Sequence, residues 1–209
     1  MKITKYEHAC FTVEKEGKLL VIDPGAFTTD LPVLENVVAV VVTHEHADHF
    51  NSASLDAIIA HSPDAVVLAH GDITKQLDDT LPAQTVATGE STTVGPFSLQ
   101  FFGGVHATIH ESLQPVANLG VLINKVIYYP GDSFSLPNQP VTWLALPVWA
   151  PWLKLSEAID FARSVNPTHI FPTHDSIASD IGKQLTDRLV PDLTGISYQR
   201  LLSPVEVEE

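Results

Sequence analysis

The run His44-Glu45-His46-Ala47-Asp48-His49 places four potential metal ligands within six residues, directly after the apolar run Val37–Val42. Imidazole nitrogens combined with carboxylate oxygens make a donor set that suits zinc, manganese or iron. A β-rich run that stops at such a cluster delivers its ligands to the end of a sheet, on a loop held by a rigid scaffold. His44 and His46 stand two apart, so an extended backbone points both the same way. Asp48 and His49 follow where the chain turns toward a helix, which lets them face a second ion. Three histidines so close together have no packing rationale.

Three further candidates lie downstream, each near the end of a predicted strand. His106 follows the apolar residues 99–102, Asp132 follows residues 126–131, and His174 follows residues 169–173. The full order is His, His, Asp, His, His, Asp, His. That inventory supplies three ligands to each of two metals and leaves one carboxylate to bridge them. Ions bridged in this way lie about 3.5–4 Å apart and share a hydroxide that forms near neutral pH.

The pattern resembles the metallo-β-lactamase superfamily, whose signature is H-x-H-x-D-H followed by a distant His, a bridging Asp and a final His. Four segments are similar to the branch that holds ascorbate-6-phosphate lactonase-like and related bacterial metal-dependent hydrolases. They are Glu7-His8-Ala9-Cys10-Phe11, Val21-Ile22-Asp23-Pro24-Gly25, Tyr129-Pro130-Gly131-Asp132-Ser133 and Phe171-Pro172-Thr173-His174-Asp175. The resemblance implies an α+β fold, a four-layer αββα sandwich of two mixed β-sheets packed face to face with helices outside, and metals at one edge between the sheets. It assigns one metal to His44, His46 and His106 and a second to Asp48, His49 and His174, with Asp132 bridging. Two divalent ions are expected: zinc first, manganese second, iron third. Their hydroxide attacks an ester, lactone, amide or phosphoester of a small molecule, and Asp48 and Asp132 are the catalytic carboxylates.

Around this set, the resemblance gives Asp23 the role of orienting a ligand or the Asp48 loop. His8 either lines the site or supports its hairpin. His110, four residues after His106, is a proton donor to the leaving group or an exposed histidine. Trp149 and Trp152 form an aromatic wall beside the bridge or pack against an outer helix. His61, His70 and His169 belong to no pattern and read as structural. Cys10 reads as a small buried hydrophobe.

The elements that must position these residues follow from periodicity and punctuation. Strands are predicted at 3–6, 9–14 and 18–23, with Glu16-Gly17 as the turn between the last two, and at 37–42 and 65–69. Val37–Val42 is continuously apolar, as expected of a strand buried on both faces. Ser52 is expected to cap a helix carrying Leu55, Ile58 and Ile59, and a short helix is expected at 73–79. Later strands are predicted at 84–87, 92–94, 97–102, 119–124, 125–129, 143–146 and 168–171. A helix at 155–165 shows the stripe Leu155, Ala158, Ile159, Ala162 and Val165, stopped by Asn166-Pro167. Ser179 is expected to cap a last helix with Ile181, Leu185 and Leu189 inward. The chain reads as a single domain, residues 1–209, with pseudo-halves of about 1–83 and 84–209 and a frayed acidic tail at 205–209.

Composition narrows the function classes. The 209 residues are 44% hydrophobic and 17% charged, which supports a substantial core. No apolar run is long enough for a transmembrane helix. Residues 1–8 lack the apolar core of a signal peptide, and the one cysteine permits no intrachain disulfide, so a cytoplasmic protein is expected. A net charge of −14 repels phosphate backbones and weighs against a nuclease. A small-molecule substrate is expected, with no membrane and no nucleic-acid partner; a homo-oligomer is compatible with the sequence. The alternatives are an iron-dependent oxidoreductase of the persulfide dioxygenase type, separable by iron content and oxygen consumption, and a non-catalytic metal-binding module, separable by the absence of hydrolysis at any metal loading.

Overall fold

The structure is a computed structural model and describes residues 1–208. Two seven-stranded sheets share one plan. In the first, β1 (Lys2–Lys5), β2 (Phe11–Lys15) and β3 (Lys18–Ile22) run antiparallel, and β4 (Val37–Val42), β5 (Val66–Ala69) and β6 (Ala83–Thr85) continue in parallel from β3. In the second, β7 (Ser91–Val94), β8 (Phe97–Gly103), β9 (Leu119–Ile123) and β10 (Ile127–Tyr129) run antiparallel, and β11 (Trp143–Pro147), β12 (His169–Thr173) and β13 (Ser197–Tyr198) continue in parallel. The helices are α1 (Ser52–His61), α2 (Gly71–Thr74), α3 (Leu155–Val165) and α4 (Asp180–Thr194), and a last strand, β14 (Val205–Glu206), pairs with β1.

The layers follow from which faces are apolar. β4 is buried on both sides, as its unbroken β-branched run requires. Ala39 and Val41 face the core between the sheets, where Phe11, Leu20, Phe101, Val121, Tyr129 and Phe171 also pack. Val40 and Val42 face outward, under Leu55 and Ile58 of α1 and Ile73 of α2. On the other side, Ala158, Ile159, Phe161 and Ala162 of α3 and Val190 of α4 cover Leu122, Leu144, Leu146 and Ile170 of the second sheet. The order is therefore helix, sheet, sheet, helix. The Glu16-Gly17 turn holds both central residues left-handed, at φ 53° and 71°, which matches the twist of a two-residue hairpin.

Several expectations are corrected. The strand near residue 84 pairs with β5 and closes the first sheet, so the second sheet opens only at Ser91. The tail is not frayed through residue 207: Val205–Glu206 joins β1, and Met1 and Val207 exchange hydrogen bonds between their main chains; Glu209 lies outside the described residues. Asn51, not Ser52, caps α1, because its Oδ1 accepts from the Ser54 N–H at 3.1 Å. The short helix starts at Gly71, where His70 serves as its N-cap.

The largest difference is the face of α4. Ile181 and Leu185 are 78% and 41% exposed, and Gly182, Thr186 and Val190 face inward instead. Both sets have the same i, i+4, i+8 spacing. The decision is made by Trp149, whose indole lies where a Cβ on Gly182 would come within 3.0 Å and whose Nε1 donates to Thr186 Oγ1 at 2.9 Å. Only small residues fit beneath that ring. Urea unfolding should therefore show Ile181→Gln within about 0.5 kcal/mol of the parent protein, while Gly182→Val should cost about 1–3 kcal/mol by overpacking. Equal stability of the two variants would contradict this seating of α4.

Candidate metal centre

The candidate ligands come from strand ends and turns at one edge of the sandwich. Thr43 and His44 follow β4, Asp23 follows β3, His106 follows β8, Asp132 follows β10, His174 follows β12, and His8 sits in the β1–β2 turn. Their loops are locked together by the backbone. A Cβ on Gly25 would stand 2.0 Å from the Asp48 carbonyl oxygen, so only glycine allows the turn after Asp23 to lie against the Asp48–His49 loop. His8, Asp23 and His174 are all left-handed, at φ 53°, 44° and 60°. Such conformations are costly for residues with a Cβ and persist where the surroundings over-determine them. His8 is held by its own carbonyl, which accepts from the His174 N–H at 3.0 Å and from Lys5 Nζ at 2.6 Å.

The side chains then converge. His44, His46 and His106 form one group and His8, Asp48, His49 and His174 another, and within each group the donor atoms lie within 4.8 Å of one another. Asp132 stands between them. Its Oδ2 lies 3.3 Å from His106 Nε2 and 3.1 Å from His174 Nε2, and its Oδ1 lies 3.3 Å from His49 Nε2. All seven residues of the sequence pattern are brought together, and His8 joins them with Nε2 at 2.9 Å from Asp48 Oδ2.

Four histidines are held with the same edge facing inward. His44 Nδ1 lies 3.1 Å from Thr43 Oγ1, which itself donates to Asp23 Oδ2 at 2.7 Å. His49 Nδ1 donates to Asp23 Oδ2 at 2.8 Å, His106 Nδ1 to the Ala107 carbonyl, and His174 Nδ1 to the Trp149 carbonyl. Each Nδ1 therefore keeps its proton. The Nε2 atoms of these four rings, with Asp132 Oδ1, are buried and have no hydrogen-bond partner. A buried polar atom without a partner is expensive, and several aimed at one point describe a cation site. The residues present fit a metal centre.

Electrostatics tell the same story. Burial works against charge on His174, but Asp132 and Asp48 outweigh it and lift its pKa to about 9. His49, fully buried, is likewise raised by Asp132 and Asp23. The charged neighbours His49 and His174 overcome the burial cost of ionised Asp132 and hold it well below the usual carboxylate range. His44 moves the other way: burial, then His49, favour its neutral form.

The remaining candidates divide. Asp23 touches none of the inward-facing Nε2 atoms but fixes His49, Thr43 and, through Thr43, His44. Trp152 Nε1 donates to Asp132 Oδ2 at 2.8 Å, with its ring 5.9 Å from His106, so it is the aromatic wall; Trp149 packs on α4 instead. His110 is exposed, tied to Ser112 at 2.7 Å, and stands outside the metal-ligand cluster. His169 stacks on Trp143 at 4.5 Å and His70 caps α2. Burial pushes the Cys10 thiol up to about 12, so it stays neutral. Thr43 and Asn118 were not anticipated. Asn118 Oδ1 accepts from the Asp132 N–H at 2.9 Å while its Nδ2 donates to the Pro130 carbonyl, which aims Asp132. A polar residue just before a strand is too common a signal to have marked Asn118; Thr43, directly before His44, was the more readable of the two.

The chain is similar to several known proteins. A model of the beta-lactamase superfamily domain matches residues 2–174. Protein Rv0786c of Mycobacterium tuberculosis is 30% identical over 206 residues, covering 96% of this chain and 91% of that protein. The UPF0173 metal-dependent hydrolase MJ1163 of Methanocaldococcus jannaschii is 28% identical over 190 residues, 82% of this chain and 83% of its own. Among solved structures, Igni18, a metallo hydrolase from Ignicoccus hospitalis, superposes with a TM-score of 0.77 at 18% identity, over 99% of both chains.

Two outcomes are expected. Asp23→Asn removes the charge behind His49 and Thr43 and should weaken metal binding about 10–100-fold with the fold kept, as read by chelator competition; unchanged affinity would remove Asp23 from the site. In metal-free protein, a His174 pKa raised to about 9 stabilises the fold fully below its unfolded value near 6.5 and is lost as pH rises through 9. Metal must displace that proton, so affinity should climb between pH 7 and 9 with proton release, measurable by calorimetry in two buffers of different ionisation enthalpy. A flat profile would count against His174 as a ligand.

Proposed function

The chain belongs to the beta-lactamase superfamily, and we propose that it is a metal-dependent hydrolase that uses two divalent ions to cleave an ester, lactone, amide or phosphoester of a small molecule. The observation that carries this reading is the set of four buried, unpartnered Nε2 atoms around Asp132, each with its opposite nitrogen tied down. Ligands held in advance in this way bind an ion without reorganising.

His44, His46 and His106 would hold one ion, Asp48, His49 and His174 the other, and Asp132 would bridge. When bound, the ions supply a nucleophile from water near neutral pH and polarise the oxygen under attack. Zinc is the first expectation and manganese the second, because the donors are nitrogen and oxygen and the neutral Cys10 is not among them.

The chain's own groups set up the rest. His8 donates from Nε2 to Asp48 Oδ2 and so orients that carboxylate. The Asp48 side chain is 19% exposed against 4% for Asp132, which makes Asp48 the cluster's carboxylate that meets solvent and the one placed to orient an entering water. Trp152 pins Asp132 and, with Phe134 at 5.2 Å from its ring, walls that side of the site from water. His46 is half-buried and faces the mouth.

Elemental mass spectrometry of protein purified without added metal or chelator should find about two zinc or manganese ions per chain. Asp132→Ala should lose more activity than the 10–100-fold typical of a group outside the ligand set, with an unchanged circular dichroism spectrum. Parent-like turnover in that variant, or no metal uptake on titration, would overturn the reading.

A further inference from the structure

We propose that the cavity beside His46 and His106 receives a short, uncharged apolar group, and that the substrate is therefore a neutral carboxylic ester or lactone rather than a phosphoester or other anion. This rests on the hydrolase reading and narrows it.

The cavity has a volume of about 180 Å³ and opens directly onto His46 and His106. Its other walls come from the loop between β8 and β9: Ala107, Ile109, Leu113, Pro115 and Val116 are apolar, and Thr108 and Gln114 are polar but neutral. Pockets for drug-sized ligands hold about 300–1,000 Å³, so this one accommodates a group of only a few carbons. The loop is tied to the site at both ends. The His106 N–H donates to the Val116 carbonyl at 3.0 Å, and the Ala107 N–H to the Asp132 carbonyl at 2.8 Å. The apolar walls are therefore held in register with the candidate ligands. Ile109 and Leu113 are 38% and 55% exposed, so the apolar wall is open to an entering molecule.

Charge selects in the same direction. Apart from Lys154, the N-cap of α3, which pairs with Glu157 at 3.5 Å, the segments that carry the site, residues 6–10, 23–36, 43–51, 103–118, 130–142, 147–154 and 173–179, contain no Lys or Arg. No guanidinium or ammonium group there adds a clamp for a phosphate or carboxylate beyond what the ions would supply. Glu45 and Glu111 add negative charge to the same segments, and Asp23, Asp48 and Asp132 offset most of the charge of two divalent ions. An anion is repelled on approach; a neutral ester is not.

The larger cavity, about 590 Å³, does contain Lys5, Lys183 and Arg200, but no residue of the His/Asp cluster lines it. Lys5 there donates to the Tyr6 and His8 carbonyls, and Arg200 is paired with Asp175 and Asp187. Lys5 and Arg200 are thus engaged with the protein itself, and the cavity stands apart from the candidate ligands.

In the reaction, the oxygen of one water bonds to the acyl carbon and the bond to the leaving oxygen breaks. One proton of that water ends on the alcohol and the other in solvent, leaving a carboxylate.

The test uses metal-loaded full-length protein and four probes: 4-nitrophenyl acetate, 4-nitrophenyl butyrate, mono-(4-nitrophenyl) glutarate and bis-(4-nitrophenyl) phosphate. Two added methylenes buried at about 0.8 kcal/mol each should raise kcat/KM for butyrate about tenfold over acetate. Glutarate and the phosphodiester should be slower than butyrate. Leu113→Lys, on an exposed loop side chain, should abolish the preference for butyrate over acetate and raise the glutarate rate, with metal content and melting temperature unchanged. Butyramide should shift the methyl resonances of Ile109, Leu113 and Val116 in the parent protein and not in that variant. Hydrolysis of the phosphodiester in preference to the esters, or no dependence on chain length, would overturn this proposal and leave the hydrolase reading standing. No hydrolysis of any probe and no butyramide shift would remove both.

Discussion

Asp23 is the group on which the centre depends. It is fully buried, and its two oxygens accept from the Thr43 N–H, the Thr43 hydroxyl and His49 Nδ1, at 2.8, 2.7 and 2.8 Å. One carboxylate thus joins the end of β3 to the end of β4 and fixes two imidazoles, one directly and one through Thr43. A carboxylate buried in such a place depends on these hydrogen bonds, because burying an uncompensated polar or charged group costs several kcal/mol. Gly25, two residues on, lets the same turn press against the Asp48 carbonyl. The left-handed Asp23, the glycine and the hydrogen bonds are parts of a single joint.

That joint sets the electrostatic balance of the whole pocket. Asp23, Asp48 and Asp132 surround His49, and their charge outweighs its burial. Without cations the carboxylates can be neutralised only by protonated histidines, and the same ring nitrogens that carry those protons are the atoms aimed inward. Protons and metal ions therefore compete for one set of positions. The surrounding sandwich makes this competition sharp, since its packed core leaves the side chains no alternative arrangement.

Much of the fold was legible because local signals agreed. Val37–Val42, Leu155–Val165 and the Glu16-Gly17 turn stand where periodicity and turn chemistry put them. The errors occurred where two local solutions were equivalent. Along α4, the set beginning at Ile181 and the set beginning at Gly182 have identical spacing, and hydrophobicity favours the wrong one. Only the indole of Trp149, more than thirty residues earlier in the chain, breaks the tie. In the same way, residues 83–85 can read as the end of one sheet or the start of another until β5 is beside them. Pairing of 205–206 with β1 joins opposite ends of the chain and leaves no mark in either segment.

The candidate ligand types and their order were legible in the sequence alone, because clustered histidines and carboxylates after apolar strands have no packing rationale. The role of Asp23 could also be read there, through resemblance. Tertiary structure decided what spacing cannot carry. It brought His8 onto Asp48, separated Trp152 beside Asp132 from Trp149 on the helix, left His110 exposed against Ser112, and folded the 107–116 loop into an apolar wall beside His46 and His106. The physical reason is that a ligand is recognised by its atoms, whereas a pocket is a relation between surfaces that meet only when the two sheets close on each other.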